Sequence, residues 1–205
     1  AAVAALAGAV GSLDLVPGPR DPSNLTLPQQ PLHPCLLPLA ANYSSLRCVT
    51  NPYEAEVGGR LFLGHSGQPV LDISRFTHLG QDDGKSASQR TLDIMEETLK
   101  WAHLAPTAPD TLACYPFFQE DPFILKRCPD VYFASASAKQ GGGLQGGGEG
   151  ASRPQHVETR LFRGPQGQVI RLISLPSFAV TGECALVNLA NLDCLPLECC
   201  LQLSA

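Results

Sequence analysis

Thr107 to Phe133 reads TAPDTLACYPFFQEDPFILKRCPDVYF, and four of the eighteen prolines (Pro109, Pro116, Pro122 and Pro129) fall inside it. Proline fixes φ and drives the preceding residue toward extended geometry, so a long helix is excluded here. Half of the eight Phe and four Tyr residues lie in the same stretch: Tyr115, Phe117, Phe118, Phe123, Tyr132 and Phe133. The run therefore reads as a rigid, aromatic-rich connection that ends in a short apolar strand, Val131 to Phe133. Its aromatics, Tyr115 and Phe117 included, are expected to be buried and to pin the loop to the body of the domain.

Outward from this stretch the chain alternates helices and strands. Leu92, Met95, Leu99 and Ala102 recur at helical spacing, with Asp93, Glu96, Glu97 and Lys100 between them. This predicts an amphipathic core helix stopped by Pro106 and Pro109. Before it, Gly80 to Gln89 reads as a polar, flexible break, Val70 to Phe76 as a helix, and Leu61 to Leu63 as a strand with its turn at Ser66-Gly67. The chain opens with a short, buried helix (Ala1 to Val10) leading into a strand (Leu13 to Val16), half of a βαβ-type unit. A chain that starts mid-unit is expected to be a fragment. Pro17 to Asn24 is then a turn at the C-terminal end of a strand, where open α/β sheets hold ligands. Leu27 to Cys35 is proline-punctuated and extended.

Downstream, Lys139 to Arg153 contains GGGLQGGGEG. This predicts a flexible loop, without the Gly-Lys-Ser/Thr of a phosphate-binding loop. Val157 to Phe162 and Val169 to Leu175 form a predicted hairpin around GPQGQ, its second arm apolar on both faces and stopped by Pro176. Ala185 to Leu189 is a further strand, and Leu192 to Leu203 alternates apolar residues with prolines and cysteines.

Composition bounds the function. With 205 residues, 44% hydrophobic and 16% charged, the chain has the length for one domain with a sizeable core. A net charge of −5 excludes a chain wrapped in phosphate contacts, so protein partners are expected before nucleic acid. The eight cysteines include no CxxC pair. They read as reduced, buried thiols of a cytosolic or nuclear protein rather than as a disulfide frame or metal set. The first eighteen residues lack a positive n-region and meet Asp14, so neither a signal peptide nor a membrane span is predicted. Among the histidines, His65 beside glycine turns reads as structural or superficial, His33 as a packed loop residue, and His103 as a helix-end residue. His78 and His156 lie in polar segments.

Several segments together, PGPRDPSN (17–24), LPQQPLHPC (27–35), the central stretch and SLPSFAVTGECALVNLANLDCLPLE (174–198), resemble in order the B-subunit family of the replicative DNA polymerases, its delta branch most of all. The resemblance runs from about Gly11 to Glu198 and is broken by the loops at 80–90 and 139–155. It implies an α/β fold of the calcineurin-like phosphoesterase type, a two-sheet sandwich of which residues 1–205 are the C-terminal part. The family also carries an oligonucleotide-binding-type barrel N-terminal to this region; none of it is recognised here.

Active phosphoesterases carry a Gly-Asn-His-Asp/Glu loop and a Gly-His-x-His motif. The corresponding positions are Gly18, Pro19, Arg20 and Asp21, and, after the strand at 131–133, Ala134, Ser135, Ala136 and Ser137. Proline offers no side-chain donor to a metal and arginine cannot cycle as a general acid, while alanine and serine supply neither imidazole nor carboxylate. The resemblance thus implies a non-catalytic scaffold without metal or cofactor. It would be held between the cysteine-rich C-terminal domain of the polymerase delta catalytic subunit and a further accessory subunit, in the nucleus, with DNA met at most weakly. Two alternatives remain: an active metallophosphoesterase whose other ligands lie upstream, and a single-stranded DNA-binding module using aromatics beside Lys126 and Arg127.

Overall fold

In the computed structural model, residues 2–77, 84–135, 156–164 and 166–199 are described. In chain order the elements are α1 (Ala2–Ala9), β1 (Leu13–Leu15), β2 (Leu46–Cys48), β3 (Tyr53–Val57), β4 (Arg60–His65), α2 (Gln68–Phe76) and α3 (Ala87–Lys100). Next come β5 (Val131–Ser135), β6 (Glu158–Arg163), β7 (Val169–Leu175), α4 (Phe178–Thr181), β8 (Glu183–Val187) and β9 (Cys194–Glu198). The class is mixed α/β. Five strands make one sheet in the order β3-β4-β5-β7-β6, and β1-β2 and β8-β9 form separate pairs.

The interior strands β4, β5 and β7 run parallel, and β3 and β6 close the two edges antiparallel. Interior parallel strands are covered on both faces and so are mostly apolar. Tyr132, Ala134, Ile170 and Leu172 face one side, where α3 brings Leu92, Ile94 and Met95. Val131 and Ile173 face the other, where Ala185, Val187 and Cys194 of the β8-β9 hairpin close a smaller cluster. The result is three layers: helices, central sheet, hairpin.

Helix α3 starts where its sequence allows a reciprocal cap. The Ser86 hydroxyl accepts from the Gln89 backbone N–H (3.1 Å), and the Ser86 N–H donates to the Gln89 side chain (3.0 Å). Arg160 on edge strand β6 reaches back to Asp93 (2.8 Å) and Glu96 (2.6 Å) of this helix.

Several expectations change. The polar break expected over 80–89 ends sooner, because Ser86-x-x-Gln89 nucleates the helix; residues 78–83 lie outside the described ones, as do His78 and the loop at 139–155. Ala102 is not part of the helix stripe: the helix ends at Lys100, Trp101 caps it, and Ala102 takes φ +53° in a reversal well before Pro106. Helix α1 forms but only its Ala7 is buried. The expected strand at 131–133 continues through Ala134 and Ser135, since both pair with β7 and Ala134 also pairs with β4. His33 is exposed and its ring accepts from the Cys35 N–H, capping a 3-10 turn rather than packing. None of the seven described cysteines is fully buried, although all are free thiols.

The largest change concerns the central stretch. Phe123, Val131 and Tyr132 are buried, but Tyr115, Phe117 and Phe118 are 59%, 50% and 91% exposed. The expectation that Tyr115 and Phe117 pin the loop is therefore wrong. Backbone pairing holds the loop instead: Leu27 N–H donates to Ala113 (2.9 Å) and Tyr115 N–H to Leu27 (2.8 Å).

Candidate functional site at the strand ends

The C-terminal ends of β4 and β5 bring together those of the positions singled out from the sequence that are described. Beyond β1, the Gly18 N–H donates to Asp21 Oδ2 (2.6 Å), closing a tight turn over Pro19 and Arg20. A Cβ on Gly18 would lie 3.9 Å from the Ser66 Cβ, so this turn sits beside the end of β4. On the other side, Gly67 adopts φ +98° and a Cβ there would come 2.2 Å from the Ser135 carbonyl oxygen. Only glycine accepts that conformation and that approach. Residues 18–21 and Ser135 thus flank Ser66-Gly67 from two directions. Ala136 and Ser137 lie outside the described residues.

Under this junction lies a closed network of neutral side chains that the sequence reading missed. The Asn51 Nδ2 lies within reach of Gln29 Oε1 (2.7 Å), Ser66 Oγ (2.7 Å) and Gln68 Oε1 (3.1 Å). Gln68 Nε2 donates to Gln29 Oε1 (2.9 Å), the Ser66 hydroxyl donates to Gln68 Oε1 (2.7 Å), and Gln29 Nε2 donates to Gly18 O (3.2 Å) and Asn24 O (2.9 Å). Gln29 and Asn51 are fully enclosed. Buried amides are tolerated because each finds partners, and a satisfied network fixes the segments that carry it. It ties together the 18–30 loop, the exit of β2 and the start of α2. No periodic pattern marks these residues; their one sequence signal is amide and hydroxyl side chains inside otherwise apolar, proline-rich segments.

His65, the histidine that invites a catalytic role, belongs to a second buried chain. Gly67 N–H donates to His65 Nδ1 (3.1 Å), which places the ring proton on Nε2. That N–H meets the Tyr132 hydroxyl (3.0 Å), the Tyr132 hydroxyl meets Thr98 Oγ1 (3.3 Å), and Thr98 donates to Met95 O (2.9 Å). Burial lowers the His65 pKa to about 4 and pushes the Tyr132 phenol up. A neutral, enclosed imidazole with both nitrogens engaged is structural, as its sequence context indicates.

Among the described residues the junction holds no nucleophile beside a base, and no group of three or more His, Cys, Asp or Glu is placed to hold a metal ion. At the opposite ends of the strands, a cleft of about 440 Å³ is lined by Arg60, Asp130 and Asn191 among others. Its cation is already engaged by Asp130 (3.1 Å) and the carbonyls of Leu189 and Ala190 (3.1 and 3.2 Å). Lys126 and Arg127, which a nucleic-acid reading would use, are paired with Glu120 (2.6 Å) and Glu54 (2.5 Å).

The model of the DNA polymerase alpha/epsilon B-subunit family matches residues 4–141, which contain the whole junction. The chain belongs to that family. Among curated B-subunit relatives, it is 42% identical over 183 residues to the DNA polymerase delta small subunit of Arabidopsis thaliana and 42% identical over 182 residues to DNA polymerase delta subunit 2 of Drosophila melanogaster. It is 35% identical over 203 residues to the DNA polymerase delta small subunit of Saccharomyces cerevisiae. Each match covers 89% of this chain but only 36%, 36% and 38% of the relative, so the chain spans little more than a third of their length. The B-subunit match begins within α1 and runs through β5.

Proposed function

We propose that the chain is the C-terminal part of a non-catalytic accessory subunit of the replicative DNA polymerase delta, built on an inactive phosphoesterase-like sandwich. Its work is to hold the cysteine-rich C-terminal domain of the catalytic subunit and a further accessory subunit together, in the nucleus. The observation that carries this is the neutral side-chain network beneath the junction at the strand ends. Where a two-metal phosphoesterase needs imidazole and carboxylate, Pro19 and Arg20 on one side and Ala134 and Ser135 on the other flank a network of amides and hydroxyls. A rigid strand-end surface released from catalysis suits protein contact, because loops on a fixed scaffold carry binding. The names of the relatives support the polymerase delta assignment.

The test has two arms. Calorimetric titration of the complete subunit with manganese or zinc is expected to show no two-metal site. Co-expression with the catalytic subunit is expected to yield a stable complex. Phosphodiester hydrolysis that disappears in Asp21→Ala would overturn the non-catalytic reading, and failure to co-purify with any polymerase subunit would overturn the scaffold.

A further inference from the structure

The exposed half of the central stretch is an organised surface rather than a loose loop. Tyr115 and Phe117 stack edge to face with ring centroids 5.1 Å apart, and Phe118 beside them is almost wholly exposed. The tip is braced on both flanks. Tyr115 hangs on the buried Leu27 through its N–H (2.8 Å), and the buried Phe123, whose N–H donates to Asp121 (2.8 Å), is tied to Leu104 N–H (2.9 Å). Large aromatics held this way lose little freedom on binding, the circumstance in which they act as anchors.

Charge says what they would anchor to. Between Trp101 and Leu125 there are three carboxylates (Asp110, Glu120 and Asp121) and no lysine or arginine. All three are exposed; Lys126 pairs with Glu120, His103 with Asp121 and Arg127 with the nearby Glu54, and with Asp110 the carboxylates still outnumber the lysine and arginine of this surface. An acidic rim repels phosphate, so stacked bases of a single strand are disfavoured, and it complements a basic protein surface. A convex aromatic tip needs a concave, apolar counterpart.

We infer that Tyr115, Phe117 and Phe118, rimmed by Asp110, Glu120 and Asp121, form the anchor of a protein–protein interface whose partner presents an apolar pocket bordered by basic residues. The inference rests on the scaffold reading and names the surface through which it works, the partner being a neighbouring polymerase subunit.

The experiment uses the complete subunit, with the catalytic subunit and the accessory subunit as separate probes. Tyr115→Ala/Phe117→Ala/Phe118→Ala is expected to remain folded, melting at most a few degrees lower, and to lose at least about tenfold in affinity for one of the two. Asp110→Lys/Glu120→Lys is expected to weaken the same complex and to remove part of its sensitivity to salt. This second variant decides the matter if the first fails to fold, since both its positions are exposed. Undiminished affinity for both subunits in the two variants overturns the inference while leaving the scaffold standing. A loss seen with a single-stranded oligonucleotide instead of either subunit also overturns it. If the wild type binds neither subunit, the scaffold reading falls and this interface with it.

Discussion

Residues 115–121 and 123–134 belong to one proline-punctuated, aromatic run, yet they do opposite things. In the second segment Phe123 is 3% exposed and Tyr132 fully enclosed, packed with Leu92, Met95 and Leu172 in the main core. In the first, three aromatics point into solvent, and the segment is held by backbone bonds and by the carboxylates of Glu120 and Asp121. The difference lies in where each segment leads. Val131 to Ser135 enters the middle of a parallel sheet, where both faces must be apolar, whereas 115–121 runs outside any sheet and has no enforced inner face. Proline density predicts rigidity in both halves and burial in neither.

The largest effects are therefore expected in the buried half. Phe123→Ala or Tyr132→Ala should cost about 3–5 kcal/mol, a large share of the roughly 5–15 kcal/mol typical of a domain. Tyr132→Ala also strands the His65 Nε2–H without its partner, while Thr98 Oγ1 keeps its bond to Met95 O. Urea unfolding measures both, and a loss under about 1 kcal/mol in either would erase the contrast between the halves.

The same buried half makes stability depend on pH. His65 titrates near 4 in the fold against 6.5 when unfolded, so between these values the unfolded chain binds the additional proton. Stability is then complete above about pH 6.5, declines as pH falls, and levels off below about 4, a total of roughly 3 kcal/mol. His156 has the opposite sign: Glu183 raises its pKa, and its contribution is lost as pH rises through that folded value. Unfolding curves from pH 7.5 to 4.5 should show the fall, and His65→Gln should flatten it. A wild-type curve already flat over that range would contradict the buried neutral ring.

The junction above His65 offers a third test. Gly67→Ala forces a side chain into a left-handed backbone and against the Ser135 carbonyl, with strain of about 1–3 kcal/mol from the backbone conformation alone. Thermal melting should record a fall of several degrees. Unchanged melting would mean that the ends of β4 and β5 are not held in such close contact.

Part of this architecture is plain in the sequence. The stripe Leu92, Met95 and Leu99 announces α3, and the run at 169–175, apolar on both faces apart from Arg171 and Ser174, announces a strand covered on both faces, because periodicity reports directly how many faces are buried. Edge strand β3 escapes the sequence reading although YEAEV alternates. The capping pair Ser86 and Gln89 lies hidden in a run of small polar residues. The junction is half legible: the loop at 18–21 and the end of β5 stand out, but the amides Gln29, Asn51 and Gln68 that join them are separated by up to 39 residues and share no period. Where proline removes periodicity, as in 115–121, sequence carries no face at all, and the burial expected of Tyr115 and Phe117 has nothing to rest on.

The smallest expected effect bears most directly on the comparison. Tyr115→Ala and Phe117→Ala remove rings that are at least half exposed and stacked on each other, while Tyr115 keeps its backbone bond to Leu27 whatever its side chain. Exposed substitutions of this kind change stability by about 0.5 kcal/mol or less, and losing the stacked pair adds about 0.5–1.5 kcal/mol at most. Measured in the same urea series as Phe123→Ala, either single variant should stay within about 2 kcal/mol of the wild type, below the loss expected for Phe123→Ala. Phe118→Ala, which removes the most exposed of the three rings, should be indistinguishable from it. A Phe117→Ala loss approaching that of Phe123→Ala would show that the tip folds back onto the body of the domain. Both halves would then serve the core, and the aromatic surface would have nothing left to offer a partner.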